Sequence, residues 1–335
     1  MHHVLPISAQ YSVLYTGMWV TSTIEVEMDS MAAGAKQRQF SFLGKKSKDR
    51  SKNITFALFV TPGLILYSIF LVLPVVMGVY YSVTDWNGIS RRFNIVGIKN
   101  YRSIFRDSRF SNAVLFNLKY TVLLTVCVVV LGIALALLLN KRVKGITGFR
   151  AMYFFPAVLS ALSVTLIFGQ IFYRVLPQIG SKLNIGFLQK SLLSSKTTAP
   201  YGVLLVNVWQ GVALPTILFL AGLQTIPDEL YEAAEIDGAN AWARFRHITL
   251  PFLVPIISIV LVLTAKSGLM VFEYVHSLTD GGPGGATESI SLLIYRHAFV
   301  ENKFAYSIAE AMVAGLIIAA ISAIQISISN RMKVY

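Results

Sequence analysis

The sequence predicts an all-α integral membrane protein with six spanning helices, and two observations carry that expectation. Only 13% of the 335 residues are charged and 55% are hydrophobic, against about 25% and about 45–50% in soluble domains. The mean hydropathy is correspondingly high, at +0.63. The second observation is a series of uncharged runs long enough to cross about 30 Å of hydrocarbon, which takes about 20 helical residues. Disorder, collagen and a disulfide scaffold are excluded by the same composition. The single cysteine, Cys127, sits in an apolar run and reads as a small buried hydrophobe.

Residues 54–84, 120–140 and 151–173 carry no charge and give the first three spans. Residues 197–227 are also uncharged, and their apolar part, 203–223, gives a fourth. A fifth starts at Pro251 and meets Lys266 after 15 uncharged residues, so that ammonium must be buried in protein or reach an interface. A sixth covers 308–328, with Glu310 near its start.

Residues 1–53 read as a separate tail. Their apolar stretch 11–20 is too short to span, and no signal-peptide pattern precedes it. Seven Lys/Arg and one acid, Asp49, lie between Lys36 and Lys52, which suits the cytoplasmic face and anionic lipid. Nucleic-acid binding would need an accompanying recognition pattern, and there is none. With the tail inside, inner segments hold 15 Lys/Arg and outer loops 13. Density decides where count does not, because seven of the outer ones are spread along a 35-residue loop, and both termini are placed in the cytoplasm.

Between spans four and five, residues 225–251 hold a polar elbow. Thr225 and Asp228 resemble a capping box, Pro227 suits a first turn, and Asp228, Glu229 and Glu232 favour the positive helix end. Gly238 can adopt the left-handed stop, so a second short helix is expected over 239–248, with Pro251 opening the next span. Ala233 and Ala234 leave a face that another backbone can approach closely.

The string Glu232-Ala233-Ala234-Glu235-Ile236-Asp237-Gly238-Ala239, then Phe245, then Ile248-Thr249-Leu250-Pro251, resembles the coupling loop, or EAA motif, of binding-protein-dependent ABC importer permeases. Thr61-Pro62-Gly63 at the start of span one, Val96-Gly97-Ile98-Lys99-Asn100-Tyr101, Asn207-Val208-Trp209-Gln210-Gly211, and residues 278–284 with their Thr-Asp-Gly-Gly-Pro core are similar to the carbohydrate-uptake branch. The likeness covers residues 54–335 and leaves out 1–53, so that Met31 offers an alternative start. It implies the six-helix type I importer transmembrane fold in a prokaryotic plasma membrane. It also implies a second permease subunit, two ATP-binding cassette subunits and an extracytoplasmic solute-binding protein. Glu232, Ala233, Ala234, Asp237, Gly238, Leu250 and Pro251 would seat in a cleft of the ATPase. No Gly-x-x-x-x-Gly-Lys-Ser/Thr loop is present, so the chain carries no cofactor or catalytic group of its own and ATP would be bound by the partners.

Two polar faces offer a solute path. Asn207, Gln210 and Gly211 share one helical face, as do Thr264, Ser267 and Gly268, with Val271 continuing the stripe. Resemblance to maltose-type permeases places sugar contacts at positions matching Gln210, Gly211, Leu214, Thr264, Ser267, Gly268 and Val271. Small and polar residues also let helices pack closely, and both readings stand. Lys266 lies about 150° from the second face, so a partner helix rather than the solute is expected to satisfy it, and Glu310 is expected at an interface. The five histidines show no metal-ligand spacing, and no metal site is expected. The alternative function, an ion-driven secondary transporter, should show inverted repeats and several intramembrane acids; neither is evident.

Overall fold

A computed structural model describes residues 55–141 and 145–332. The basic tail 1–53, Met31, Arg142 and Lys144 fall outside them. The chain divides into two compact units, Met1–Val75 and Val76–Tyr335, each described by itself. In the first, residues 55–75 are an uninterrupted apolar helical stretch, part of helix α1 (Thr55–Ser82). This helix begins before Thr61-Pro62-Gly63, so the motif lies inside it rather than at its start.

The second unit continues with α2 (Lys99–Ile104), α3 (Ser108–Leu139), α4 (Ile146–Val158), α5 (Ala161–Lys182), α6 (Ala199–Gly211) and α7 (Ala213–Leu223). Then come α8 (Asp228–Ile236), α9 (Ala241–Leu269), α10 (Glu273–Leu278), α11 (Ile290–Val300) and α12 (Phe304–Met332). Among the described residues five helices are long and apolar enough to cross a bilayer, namely α1, α3, α5, α9 and α12; the pair α6 and α7, bent by 44°, makes up to six.

Helix α3 is the axis of this unit. Asn117, Thr121, Leu124, Val128, Gly132 and Ala136 form a buried stripe along it, mostly four residues apart, as a ridge that packs into a neighbour's groove must be. Phe219, Leu220 and Leu223 of α7 and Leu253 and Val260 of α9 join the same core. The approach is closest at Gly268, where an added Cβ would stand 2.7 Å from Thr121 Oγ1 and 2.9 Å from its Cα. A small residue here lets two spans touch where lipid supplies no hydrophobic drive. Cys127 is half-buried against this core.

Prolines decide which spans stay whole. Pro74, Pro177 and Pro251 each follow a widened π-turn, at Ser68–Val72, Ile171–Val175 and Phe245–Thr249, closed by the residue just before the proline bonding five back. The wider ring makes room for a residue that lacks an N–H and crowds the preceding turn. Pro156 and Pro215 accompany breaks instead. The third span, expected as one helix over 151–173, is thus interrupted after Val158, where Leu159 and Ser160 are extended, and the long helix is α5. The fourth bends at Val212, just before Pro215. The fifth ends at Leu269, so Val271 lies beyond the helix and does not extend its stripe.

The ends freed by such breaks are paired inside the protein. Asn117 is fully buried and donates Nδ2 to the carbonyls of Gly268 (3.2 Å) and Leu269 (2.8 Å), while its Oδ1 accepts the Ile290 N–H at 2.9 Å. One amide thereby closes the end of α9 and the start of α11. Arg150 donates to Leu139 O at the end of α3. We expect Asn117→Leu to lower the unfolding free energy of the purified chain by on the order of 3 kcal/mol from three orphaned backbone groups, read as a lower unfolding midpoint. Asn112→Leu, at an exposed position of the same helix, should leave it nearly unchanged; equal midpoints for the two variants would contradict this role.

Candidate functional site

The elbow is built as the sequence suggests in outline and differently in detail. Pro227, extended at ψ 132°, is the N-cap of α8 rather than part of its first turn. The Thr225 hydroxyl turns back to Gly222 O at 2.8 Å, so it closes α7 and is not a capping box for α8. Gly238 has φ +77°. Its N–H reaches Glu235 O at 3.0 Å and the Ala239 N–H reaches Ala234 O at 2.9 Å, the two bonds of a Schellman stop. Asn240 Oδ1 then caps the next helix by accepting the Ala243 N–H at 2.8 Å.

The expected short helix over 239–248, ending before Pro251, is instead the beginning of α9, which runs unbroken from Ala241 to Leu269. The π-turn at Phe245–Thr249 absorbs Pro251, so the second arm of the elbow and the fifth span are one rod. Two contacts that the local sequence did not reveal set the angle between the arms. Tyr231 and Thr249 share a hydroxyl bond of 2.9 Å, and Arg244 pairs with Glu235 at 3.1 Å.

No residue of α8 is buried. Glu232, Ala233, Asp237, Gly238 and Pro251 are exposed, and Ala234 and Leu250 are half-buried. Ile236 is 87% exposed and Trp242, stacked on Phe245, 67% exposed. These apolar side chains stand on a loop between spans, and a partner would bury them.

The two expected solute faces are each tied to α3. Asn207 donates to the Tyr120 hydroxyl at 2.8 Å. Gln210 donates to Leu159 O at 2.7 Å, exactly the kind of carbonyl a broken helix frees, and accepts from the Tyr274 hydroxyl at 2.9 Å. Thr264 bonds its own helix at Val260 O, and Gly268 is packed on Thr121. Gly211 is half-buried, whereas Ser267 and its neighbour Lys266 are exposed.

The end of α3 away from the elbow carries most of the charge. Arg109 bridges Glu288 at 3.1 Å and Glu301 at 2.9 Å; Arg296 meets Glu288 at 2.7 Å and Asp280 at 3.2 Å. Lys303, with help from Arg109, holds the Glu301 carboxyl down at about 2. Asn100 and Tyr101, from one of the quoted motifs, bond Ser82 and Thr84 and hold the loop against the end of α1. Glu310, expected at an interface, is instead fully buried with His297 at 2.7 Å.

Among the described residues the chain is helical, with five apolar helices long enough to cross a bilayer, up to six with the bent pair, and an exposed, Gly-stopped elbow before α9, a pattern that fits an importer permease. A family model described as binding-protein-dependent transport system inner membrane component matches residues 128–334. The multiple sugar-binding transport system permease protein MsmF of Streptococcus mutans is 45% identical over 276 residues, 82% of this chain and 95% of that protein. A probable starch degradation products transport system permease protein of Thermoanaerobacterium thermosulfurigenes is 33% identical, covering 87% of this chain and 99% of that one. A solved bacterial ABC transporter that imports the acidic polysaccharide alginate shares the fold, with a TM-score of 0.73 at 23% identity over 85% of this chain and 98% of that chain. The chain belongs to the family of binding-protein-dependent transport system inner membrane components. It is a multi-pass membrane permease of an importer and not an ion-driven secondary transporter.

The two contacts that set the elbow differ in worth. Glu235 is 74% exposed in its ion pair, and such pairs contribute about 0–1 kcal/mol, while the half-buried hydroxyl bond contributes about 0.5–1.5 kcal/mol. Hydrogen exchange of the α8 amides should therefore accelerate more in Tyr231→Phe than in Glu235→Ala. The reverse order would place the ion pair in control.

Proposed function

We propose that this chain forms half of the membrane channel of an ATP-driven ABC importer for a sugar or oligosaccharide. A second permease subunit supplies the other half, two ATP-binding cassette subunits bind and hydrolyse the ATP, and an extracytoplasmic binding protein delivers the solute. Residues 54–335 are the permease domain and 1–53 a cytoplasmic tail. Both termini are cytoplasmic, and the membrane is the plasma membrane of a prokaryote. The chain itself needs no cofactor. The sugar assignment is supported by the names of the relatives, several of which are sugar permeases.

The observation that carries the reading is the exposed elbow at 225–251, continuous with the fifth span. In the proposed mechanism Glu232, Ala233, Ala234, Asp237 and Gly238 seat in the ATPase, with Leu250 and Pro251 at the root of the lever. Closure of the ATPases around ATP pushes the seated elbow, and α9 carries the displacement to the face bearing Ser267. A position next to Gly238 Cα is open within the chain, with nothing within 4 Å, so a side chain there disturbs the backbone stop and the face offered to the ATPase without a clash inside the subunit. Gly238→Val should cost about 1–2 kcal/mol through its left-handed φ. Uptake and co-purification of the ATPase should both fall while the subunit stays in the membrane, and Glu232→Ala should weaken both. Normal transport with the ATPase still bound in both variants would remove the elbow from the coupling role.

For the solute path, Asn207, Gln210 and Thr264 have their polar atoms engaged within the chain, which favours packing for them. Ser267 is the member of the second face left open, with Gly211 half-open on the first and Gly268 giving close approach. In a Cys127→Ser background, Ser267→Cys in the assembled importer should react with a water-soluble thiol reagent and be protected by solute. Gln210→Cys should stay unreactive. Labelling of position 267 that never changes with ATP or solute would return it to the packing surface.

A further inference from the structure

Neither the elbow nor the solute faces use the most buried acid among the described residues. Glu310 of α12 is 0% exposed, as is no other acid of the described residues. One of its oxygens, Oε2, is 2.7 Å from His297 Nδ1 on α11, and the other, Oε1, is buried without any hydrogen-bond partner. A third group arrives from the N-cap of α3. Asp107 accepts the Arg109 N–H at 2.8 Å on Oδ1 and the Tyr306 hydroxyl at 3.3 Å on Oδ2. Ligand-capable atoms of Asp107, His297 and Glu310 all lie within 4.8 Å of one another.

The surrounding charges do not complete this cluster. Arg109 is committed to Glu288 and Glu301, and Lys303 to Glu301, while Arg106 lines the same cavity as Asp107 and His297. The other nitrogen of His297, Nε2, stands 3.8 Å from Glu301 Oε2. Two carboxylates thus share one imidazole, and a buried carboxylate oxygen without a partner is costly unless it takes up a proton or a cation meets it. A cavity of about 580 Å³ reaches the cluster, lined among others by Asp85, Asp107, His297 and Lys303.

The geometry points to a divalent transition-metal site formed by Asp107, His297 and Glu310. One imidazole nitrogen and two carboxylates suit zinc or manganese, which accept mixed nitrogen and oxygen ligands, better than calcium with its six to eight oxygens. Bonds of about 2.0 Å bring tetrahedral ligands to about 3.3 Å from each other, and the required contraction falls on the half-buried Asp107. With the imidazole keeping a proton on Nε2, the nitrogen on the side of Glu301, the proton between Nδ1 and Oε2 leaves to solvent on binding and the metal takes its place. The ion would clamp the start of α3 to α11 and α12, at the end of the unit opposite the elbow.

The test uses the full-length chain purified with a histidine-free tag, dialysed against EDTA and then equilibrated with Zn²⁺ or Mn²⁺ alone. Retained metal is counted by plasma mass spectrometry, and its effect on the melting temperature is recorded. We expect about one ion per chain and a rise in melting temperature, with affinity at least tenfold lower in Asp107→Asn and Glu310→Gln. Asp107→Asn preserves the N-cap, since Asn caps as well as Asp, so its loss of metal cannot be ascribed to unfolding. Asp85→Asn, in the same cavity but outside the cluster, should bind as wild type does. Absence of stoichiometric metal in wild type, or equal retention by the wild-type, Asp107→Asn and Glu310→Gln proteins, would reduce the cluster to a hydrogen-bonded His–Glu pair.

Discussion

A helix that ends inside hydrocarbon leaves backbone groups that lipid cannot satisfy, and in this permease a few side chains answer for them. Asn117 is the clearest, closing two carbonyls of α9 and one N–H of α11 from a third helix. Gln210 does the same for Leu159, and Arg150 for Leu139. These pairings are what permit broken spans in a bilayer. Without them, the breaks after Val158 and Leu269 would leave polar backbone in an apolar medium, and the short segments between would have no fixed position.

The same requirement reshapes the reading of polar residues within the spans. An amide in a transporter helix invites a solute, yet Asn207 and Gln210 have their donors occupied by Tyr120 and by Leu159. Their stiffness fixes α6 relative to α3 and α4. On the apolar part of α9, residues 251–269, the polar side chains left exposed are Lys266 and Ser267. A channel made between two such subunits needs each to present only a narrow polar strip.

The elbow illustrates how exposure and rigidity combine. Its helix buries nothing, so packing does not hold it; backbone chemistry does, through the Gly238 stop, the Asn240 cap and the Tyr231–Thr249 bond. Because Pro251 is absorbed by a π-turn, the arm and the fifth span are one continuous helix. A proline that instead broke the helix there would have inserted a hinge between the elbow and the membrane.

Much of this was legible in sequence, and the limits follow from what local patterns can encode. Uncharged length located the apolar runs, because the bilayer imposes a minimum length whatever the neighbours are, although the third run is broken after Val158 and its long helix is Ala161–Lys182. Gly238 announced the helix stop, because a positive φ is a property of one residue. Counting could not tell that Pro156 breaks its helix while Pro251 does not, since that depends on whether neighbouring groups pair the freed backbone. It passed over Asn117, which lies just outside the uncharged run beginning at Tyr120. His297, Glu310 and Asp107 looked scattered because the groups that meet are separated by up to about two hundred residues. The sequence by itself determined the medium, the crossings and the elbow, all set by local chemistry; the tertiary structure alone decided which polar groups meet, because only packing brings distant segments within hydrogen-bond reach.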